Sequence, residues 1–339
     1  MKRLLKDVVV QQRSSLKLSD VAESGKYPVF GAAGLVGYRN TYQTDLPSVA
    51  IIKDGAGIGR VSLLPKNSSV LGTMQMLTPN ADVDNVFLYY YLTHLHLGKS
   101  FTGSTIPHIY FKNYGASSFP KFKHDEQVRI AIDLTNISNA IENKHVQLNM
   151  LDGLVKSRFM EMFGDPISNS KQWPTEPLSG CCQMNGIKKY PRQDKYWILN
   201  LDKIESGTGA VLAKDYVSID MVGNSTFFFD ESYVLYSKLR PYLNKVALPD
   251  EPGFATTELV PLKPASYINR TFLAALLRTE SFVAWIDSTS SGAKMPRASM
   301  DSLRGFKAIV PPITLQNDFA NFVNLTDKSR FVCHSRNFL

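Results

Sequence analysis

From His124 to Gly164 the sequence carries apolar side chains at alternating steps of three and four: Leu134, Ile137, Ile141, Leu148, Leu151, Val155 and Met162. That spacing is the a/d seam of a coiled coil, narrower than the stripe of an ordinary surface helix. Lys144 and Arg158 interrupt the seam. Asp125 and Glu126 suit a helix N-terminus, where carboxylates meet the positive end of the helix dipole, and Gly164-Asp165-Pro166 stops the helix. Gly153 is its weak point, costing about 1 kcal/mol relative to Ala. At ~1.5 Å per residue the helix runs roughly 58 Å, too long to be buried in one small domain. The stretch reads as a spacer, and it divides the chain.

A length of 339 residues suggests two domains, and 44% hydrophobic content allows each a proper core. No apolar run approaches the ~18 residues of a membrane span. The opening "MKRLLKDVVVQQRSS" is too briefly apolar for a signal peptide. A cytoplasmic protein with no membrane contact is the expectation. Cys181 and Cys182 are adjacent and Cys333 is distant, with no C-x2-C pair for zinc. A net charge of +8 favours an acidic partner, nucleic acid first.

The sequence repeats itself on either side of the spacer. "SVAIIKDGAGIGRVSLLP" is answered by "SYVLYSKLRPYLNKVALP", with Lys53 against Lys238, Arg60 against Lys245 and Val61 against Val246. In the same register Pro79 meets Pro264 and "FLYYYL" from Phe87 meets "FLAALL" from Phe272. After four inserted residues, "GSTIP" from Gly103 meets "GAKMP" from Gly292, and Gln127 meets Gln316. A common order at a nearly constant offset marks a duplicated domain-plus-helix unit, because solenoid periods are only ~20–50 residues. The coarse pattern is strands at 48–53, 59–65 and 72–79 and a helix from Val86 to Leu97. A second long helix is expected from near Thr314, with Gln316, Phe319, Phe322, Val323 and Leu325 in phase. It is shorter than the first, and "KSRFVCHSRNFL" leaves the heptad pattern.

"KDGAGIGRV" has the spacing G-x-G-x-G, and a β-like run follows it, so it is a turn between strands rather than a dinucleotide site. Cations in and beside that hairpin are candidate DNA contacts: Lys53 and Arg60, then Lys238, Lys245, Arg240 and the neighbouring Tyr242. Lys and Arg there can neutralise phosphates, and Arg can read guanine edges. The competing reading is a solvated hairpin whose lysines discourage edge pairing. The Gly-x3-Pro loops supply a second set, Gly103, Ser104, Thr105 and His108 in one copy and Ser290, Ser291, Lys294 and Arg297 in the other. Their free backbone N–H groups can meet phosphate, or they are plain capping loops. The aromatic runs "YYYL" and "FFF" read as core.

Catalytic constellations are missing from the sequence. There is no N-P-P-Y or D-P-P-Y tetrad for base methylation, no nucleophile elbow, and no further ligand beside His94 and His96. "PDEPGFATTELV" opens like a nuclease site but lacks its lysine, Leu259-Val260 standing there instead.

Five segments together resemble the DNA-specificity (S) subunits of type I restriction–modification systems: "YPVFGAAGLVGY", "VAIIKDGAGIGRV", "GSTIPHIYFKNYGASSFP", "LNMLDGLVKSRFMEMFGDP" and "GAKMPRASMDSLRGFKAIVPP". The "MFGDP" junction is the most telling of them. The resemblance implies a mixed α/β (α+β) fold with two homologous target-recognition domains, 1–123 and 165–312. They are separated by a coiled-coil spacer helix at 124–164, and a shortened helix at 313–339 follows. It implies a non-catalytic subunit in which each domain reads half of a split double-stranded DNA target. The seam residues would dock methyltransferase (M) subunits, two of them, beside a restriction/translocase (R) subunit. AdoMet, ATP and Mg would sit on those partners and no cofactor on this chain. The short second helix motivates an alternative, a truncated S-like assembly or decoy protein that binds methyltransferase without full DNA specificity; separately, self-association of the chain would complete its coiled coil. A stand-alone DNA methyltransferase is the rival of another class.

Overall fold

In the computed structural model the described residues are 3–99, 101–103, 107–292 and 294–335, with side chains to residue 329. Ser104 and Thr105, two of the expected contacts, lie outside the described residues. The chain forms two compact units, Met1–Asn143 and Lys144–Leu339, and the division falls inside the long helix.

The first unit holds strands β1 (Val9–Arg13), β2 (Tyr27–Gly31), β3 (Gly34–Arg39), β4 (Ser48–Ile52), β5 (Val61–Leu64), β6 (Ser69–Val70) and β7 (Met74–Pro79). Helices α1 (Asn85–His94), α2 (Phe111–Tyr114) and α3 (His124–Phe163) follow. One sheet runs β1-β7-β4-β5, antiparallel throughout, and a second runs β3-β2-β6. β4 is buried at every position, which is why it reads as an unbroken apolar run rather than an alternating one. Helix α1 starts where the Asp84 carboxylate accepts the Phe87 N–H at 2.8 Å, and it lays Phe87, Leu88 and Leu92 on Val49, Ile51 and Leu77. The expected helix to Leu97 stops at His94, and a 3-10 turn at Leu97–Lys99 takes up the remainder. The start of α3 packs on this core through Ala131, with Ile130 at its edge. Farther along, Leu134, Ile137 and Ile141 remain 36%, 55% and 52% exposed, so the core of this unit does not use that part of the seam.

The second unit holds β8 (Thr175–Pro177), α4 (Leu178–Cys181), β9 (Cys182–Gln183), β10 (Tyr196–Leu199), β11 (Asp215–Val217), β12 (Thr226–Phe229), β13 (Val234–Ser237), β14 (Val246–Ala247), β15 (Gly253–Thr256) and β16 (Leu259–Pro264). After these come α5 (Arg270–Leu277), α6 (Glu280–Ser288), α7 (Met300–Gly305), β17 (Lys307–Ile309) and α8 (Ile313–Ser335). Its sheets run β14-β13-β16-β9, β11-β10-β15-β12 and β17-β8. The C-terminal end of α3 belongs to this core. Phe159 and Phe163 pack against Phe272 of α5 and Phe319 of α8 with ring centroids 4.8–5.7 Å apart. Val155 and Met162 line the edge of the same cluster. Arg158, which interrupts the seam, lays its guanidinium 5.8 Å from the Phe322 ring and pairs with Glu161 at 2.8 Å. Helix α8 begins one residue before the expected Thr314. Its inward face continues through Phe319 and Val323 to buried Thr326, whereas Leu325, expected in phase, is 64% exposed. Steps of four and three from Phe319 reach position 326, which accounts for the difference.

Candidate nucleic-acid interface

In the first unit β4 and β5 pair from Ser48↔Leu64 to Ile51↔Val61, and the chain between them forms the glycine turn. Gly55, Gly57 and Gly59 have φ of +84°, +84° and +79°, the left-handed region that glycine enters without steric cost. A Cβ on Gly59 would sit 2.2 Å from the Gly98 nitrogen, so this turn also needs the missing side chain. Backbone bonds stitch the turn to the segment after Gly103: Gly55 N–H donates to Pro107 O at 3.1 Å, and Ile109 N–H to Lys53 O at 3.0 Å. The Lys53 N–H donates in turn to Thr73 O at 3.0 Å. The juncture carries His108, whose Nδ1 lies 2.7 Å from Asp54 Oδ1, with Lys53 Nζ 4.0 Å from the other carboxylate oxygen. Arg60 is exposed and reaches the Ala32 carbonyl at 3.4 Å.

The second unit repeats this circuit bond for bond. Arg240 N–H donates to Pro296 O at 2.7 Å, Ala298 N–H to Lys238 O at 2.8 Å, and Lys238 N–H to Glu258 O at 3.0 Å. Each donor and acceptor is the duplicate of one named above, at the offsets that the sequence shows. Arg240 and Asn244, both at φ +49°, stand where the first copy has Gly55 and Gly59, so the left-handed kinks survive without glycine. Arg297 duplicates His108. It too is held by a carboxylate, with Nη2 3.0 Å from Glu258 Oε1 and Nε 3.3 Å from Oε2, a two-pronged pair. The guanidinium holds the Glu258 carboxyl below the usual carboxylate range.

The duplication reaches the helices. The buried Gln127 side chain accepts the Asp84 N–H and donates to the carbonyls of Asp82 and Phe122 at 3.1, 3.0 and 3.1 Å. Gln316 makes the same three bonds, from Asn269 N–H and to Tyr267 and Pro311 carbonyls, at 2.8, 3.1 and 2.7 Å.

The sequence profile of the type I restriction modification DNA specificity domain matches residues 1–151. Those residues belong to that family. The likeness to type I specificity subunits extends over nearly the whole chain. The type I restriction enzyme EcoDI specificity subunit of Escherichia coli is 23% identical over 360 residues, taking in 94% of this chain and 79% of that protein. The fold is shared with the S subunit of a type I restriction–modification system from M. genitalium. That structure aligns at a TM-score of 0.62 and 17% identity, covering 99% of this chain and 91% of the other.

In this specificity-subunit fold the candidate contacts gather at one juncture in each unit. Lys53 and His108 meet in the first, with Arg60 exposed on the same turn. Lys238, Arg240 and Arg297 meet in the second, with Tyr242 half exposed in the 3-10 turn after Arg240 and Lys294 exposed in the adjoining loop. Lys245 is turned away from such use: its ammonium donates to the Leu201 carbonyl at 2.7 Å. The "FFF" run gives buried Phe228 and Phe229, while Tyr89, Tyr90 and Tyr91 are only half-buried. The carboxylates Asp54 and Glu258 were missed from sequence. No local spacing announces a partner 54 or 39 residues away.

Proposed function

We propose that this chain is the DNA-reading subunit of a type I restriction–modification complex and directs methyltransferase subunits to a split target. One circuit, built twice, supports the reading. Each unit stitches a strand-joining turn to a Gly-x3-Pro loop and presents cations there. Two homologous readers in one chain suit two unrelated half-sites. The domains at 1–123 and 165–312 read those half-sites, and the helical segment 124–164 joins them. The C-terminal segment 313–339 and the seam of 124–164, through Leu134, Ile137, Ile141, Leu148 and Leu151, carry the contacts to two M subunits, while Val155 and Met162 at the end of the seam pack on the core of the second unit. An R subunit completes the cytoplasmic assembly, and the chemistry of methyl transfer and translocation stays with those partners.

Within each reader the candidate side chains divide the work. Lys53, Arg60, Lys238 and Lys294 meet phosphates, which gives affinity that falls with salt. His108, Arg240, Tyr242 and Arg297 face base edges, where a good bidentate pair discriminates by about 1–3 kcal/mol. The deciding experiment is sequencing of methylated bases in DNA from cells expressing this chain with its methyltransferase. Two short half-sites around a fixed gap are expected. A palindromic motif would mean one domain used twice, and no motif at all would overturn the reading.

A further inference from the structure

Between Ile187 and β10 the chain runs Lys188-Lys189-Tyr190-Pro191-Arg192-Gln193-Asp194-Lys195, four cations and one carboxylate in eight residues. All eight are exposed, and among the described residues no ion pair forms at any of the four cations. The loop is nevertheless braced. Ile187 N–H donates to Phe228 O at 2.8 Å, Tyr196 Oη donates to Pro191 O at 2.8 Å, and Gln193 N–H donates to Tyr196 Oη at 2.9 Å. Tyr190 stacks on Phe228 with ring centroids 5.2 Å apart and meets Phe254 edge-on at 4.9 Å. Phe254 leads within four residues to Glu258, the partner of Arg297, so at most ~14 Å of extended chain separates the aromatic bed from the candidate interface.

The first unit has the same place with the opposite charge. β2 and β10 are duplicates, each pairing parallel with a short strand: Val29↔Ser69 in one, Ile198↔Phe254 in the other. Counted back from that register, Lys188–Lys195 fall on Ser19–Lys26, which holds Asp20, Glu23 and a single cation, Lys26. Lys189 falls on Asp20 and Arg192 on Glu23.

We infer that Lys188–Lys195 is a phosphate clamp belonging to the second domain alone, so that the two half-sites are gripped unequally. The inference rests on the DNA-reading role proposed above. An exposed loop left basic only for solubility needs no hydroxyl brace and no aromatic bed. Unpaired cations held in place near base-reading side chains suit the backbone of double-stranded DNA, because fixed charges release counterions without first being ordered. The clamp carries no sequence information. Its loss therefore lowers affinity for any duplex and leaves the motif unchanged.

The test uses the methyltransferase complex containing the full chain, with a duplex bearing its methylated motif and one with the motif scrambled, across a salt series. The triple variant Lys188→Gln/Lys189→Gln/Arg192→Gln is expected to lose about tenfold or more on both duplexes, and its log–log salt slope should fall by about 2–3. The matched change Lys26→Gln in the first unit should alter neither. Unchanged affinity and slope in the triple variant overturn the clamp, as does a loss of affinity at unchanged slope. A parent complex that treats both duplexes alike overturns the DNA-reading role itself, and the clamp with it. Thermal unfolding of the triple variant at the parent temperature confirms that only exposed charge has been removed.

Discussion

Arg297 and Glu258 face each other two-pronged, Nη2 to Oε1 at 3.0 Å and Nε to Oε2 at 3.3 Å, across 39 residues of sequence. The pair makes folding of the second unit sensitive to acid. Glu258 ionises more readily in the folded chain, because Arg297 hydrogen-bonds its charged form. Stability from the pair is therefore full above the ordinary glutamate range and fades as pH falls below about 4. Both side chains are partly exposed, so the effect is modest. Urea unfolding should show Glu258→Gln less stable than the parent at pH 7, with the difference narrowing as pH falls below the ordinary glutamate range.

Gln127 and Gln316 each satisfy three backbone groups at the base of a helix. Replacement by Leu keeps the bulk and strands those groups, at about 1–3 kcal/mol per buried group left without a partner. Either substitution should lower the urea midpoint without changing what the other unit binds.

Lys53 and Lys245 separate two roles that their sequence context does not distinguish. Lys245→Met removes a charged hydrogen bond to Leu201 and should cost about 1–3 kcal/mol in unfolding free energy, with the DNA salt slope unchanged. Lys53→Met should leave stability alone and reduce the salt slope by about 1.

Two glycines should respond oppositely to alanine. A Cβ on Gly153 meets nothing within 4 Å, so Gly153→Ala on α3 should stabilise by roughly 0.5–1 kcal/mol. Gly59 has φ +79° and the Gly98 nitrogen 2.2 Å from any Cβ. Gly59→Ala should destabilise by at least ~1–3 kcal/mol, read as a drop in melting temperature.

Much of the fold was legible because duplication preserves spacing. Lys53 with Lys238, Pro79 with Pro264 and Gln127 with Gln316 were aligned by position alone, and each pair makes equivalent bonds or strand pairings. The sheet β3-β2-β6 and its duplicate were not legible. Their strands are short, β6 has only two residues, and the register before them shifts, so no constant offset links Val29 to Ile198. In the interface, cations could be found by type and neighbourhood, but their restraints could not. Arg297 became a paired residue only when folding brought Glu258 to it, and Lys245 left the surface set only when Leu201 offered its carbonyl. The Lys188–Lys195 run is visible as composition, but it stands outside the repeated motifs, so no spacing in the sequence ties it to the interface.

The repeated circuit has a consequence for rebuilding the molecule. The turns at 53–60 and 238–245 begin and end on the same hydrogen bonds, Ile52 N–H to Arg60 O at 3.0 Å and Ser237 N–H to Lys245 O at 3.0 Å, and each is pinned midway to its Gly-x3-Pro loop. What lies between those anchors is a cartridge in a common socket. The first turn can be lifted into the second unit with its kinks intact, because Gly55 and Gly59 bend the chain as Arg240 and Asn244 do there, whereas the reverse graft would set the Asn244 side chain against Gly98, where the first unit leaves no room for a Cβ.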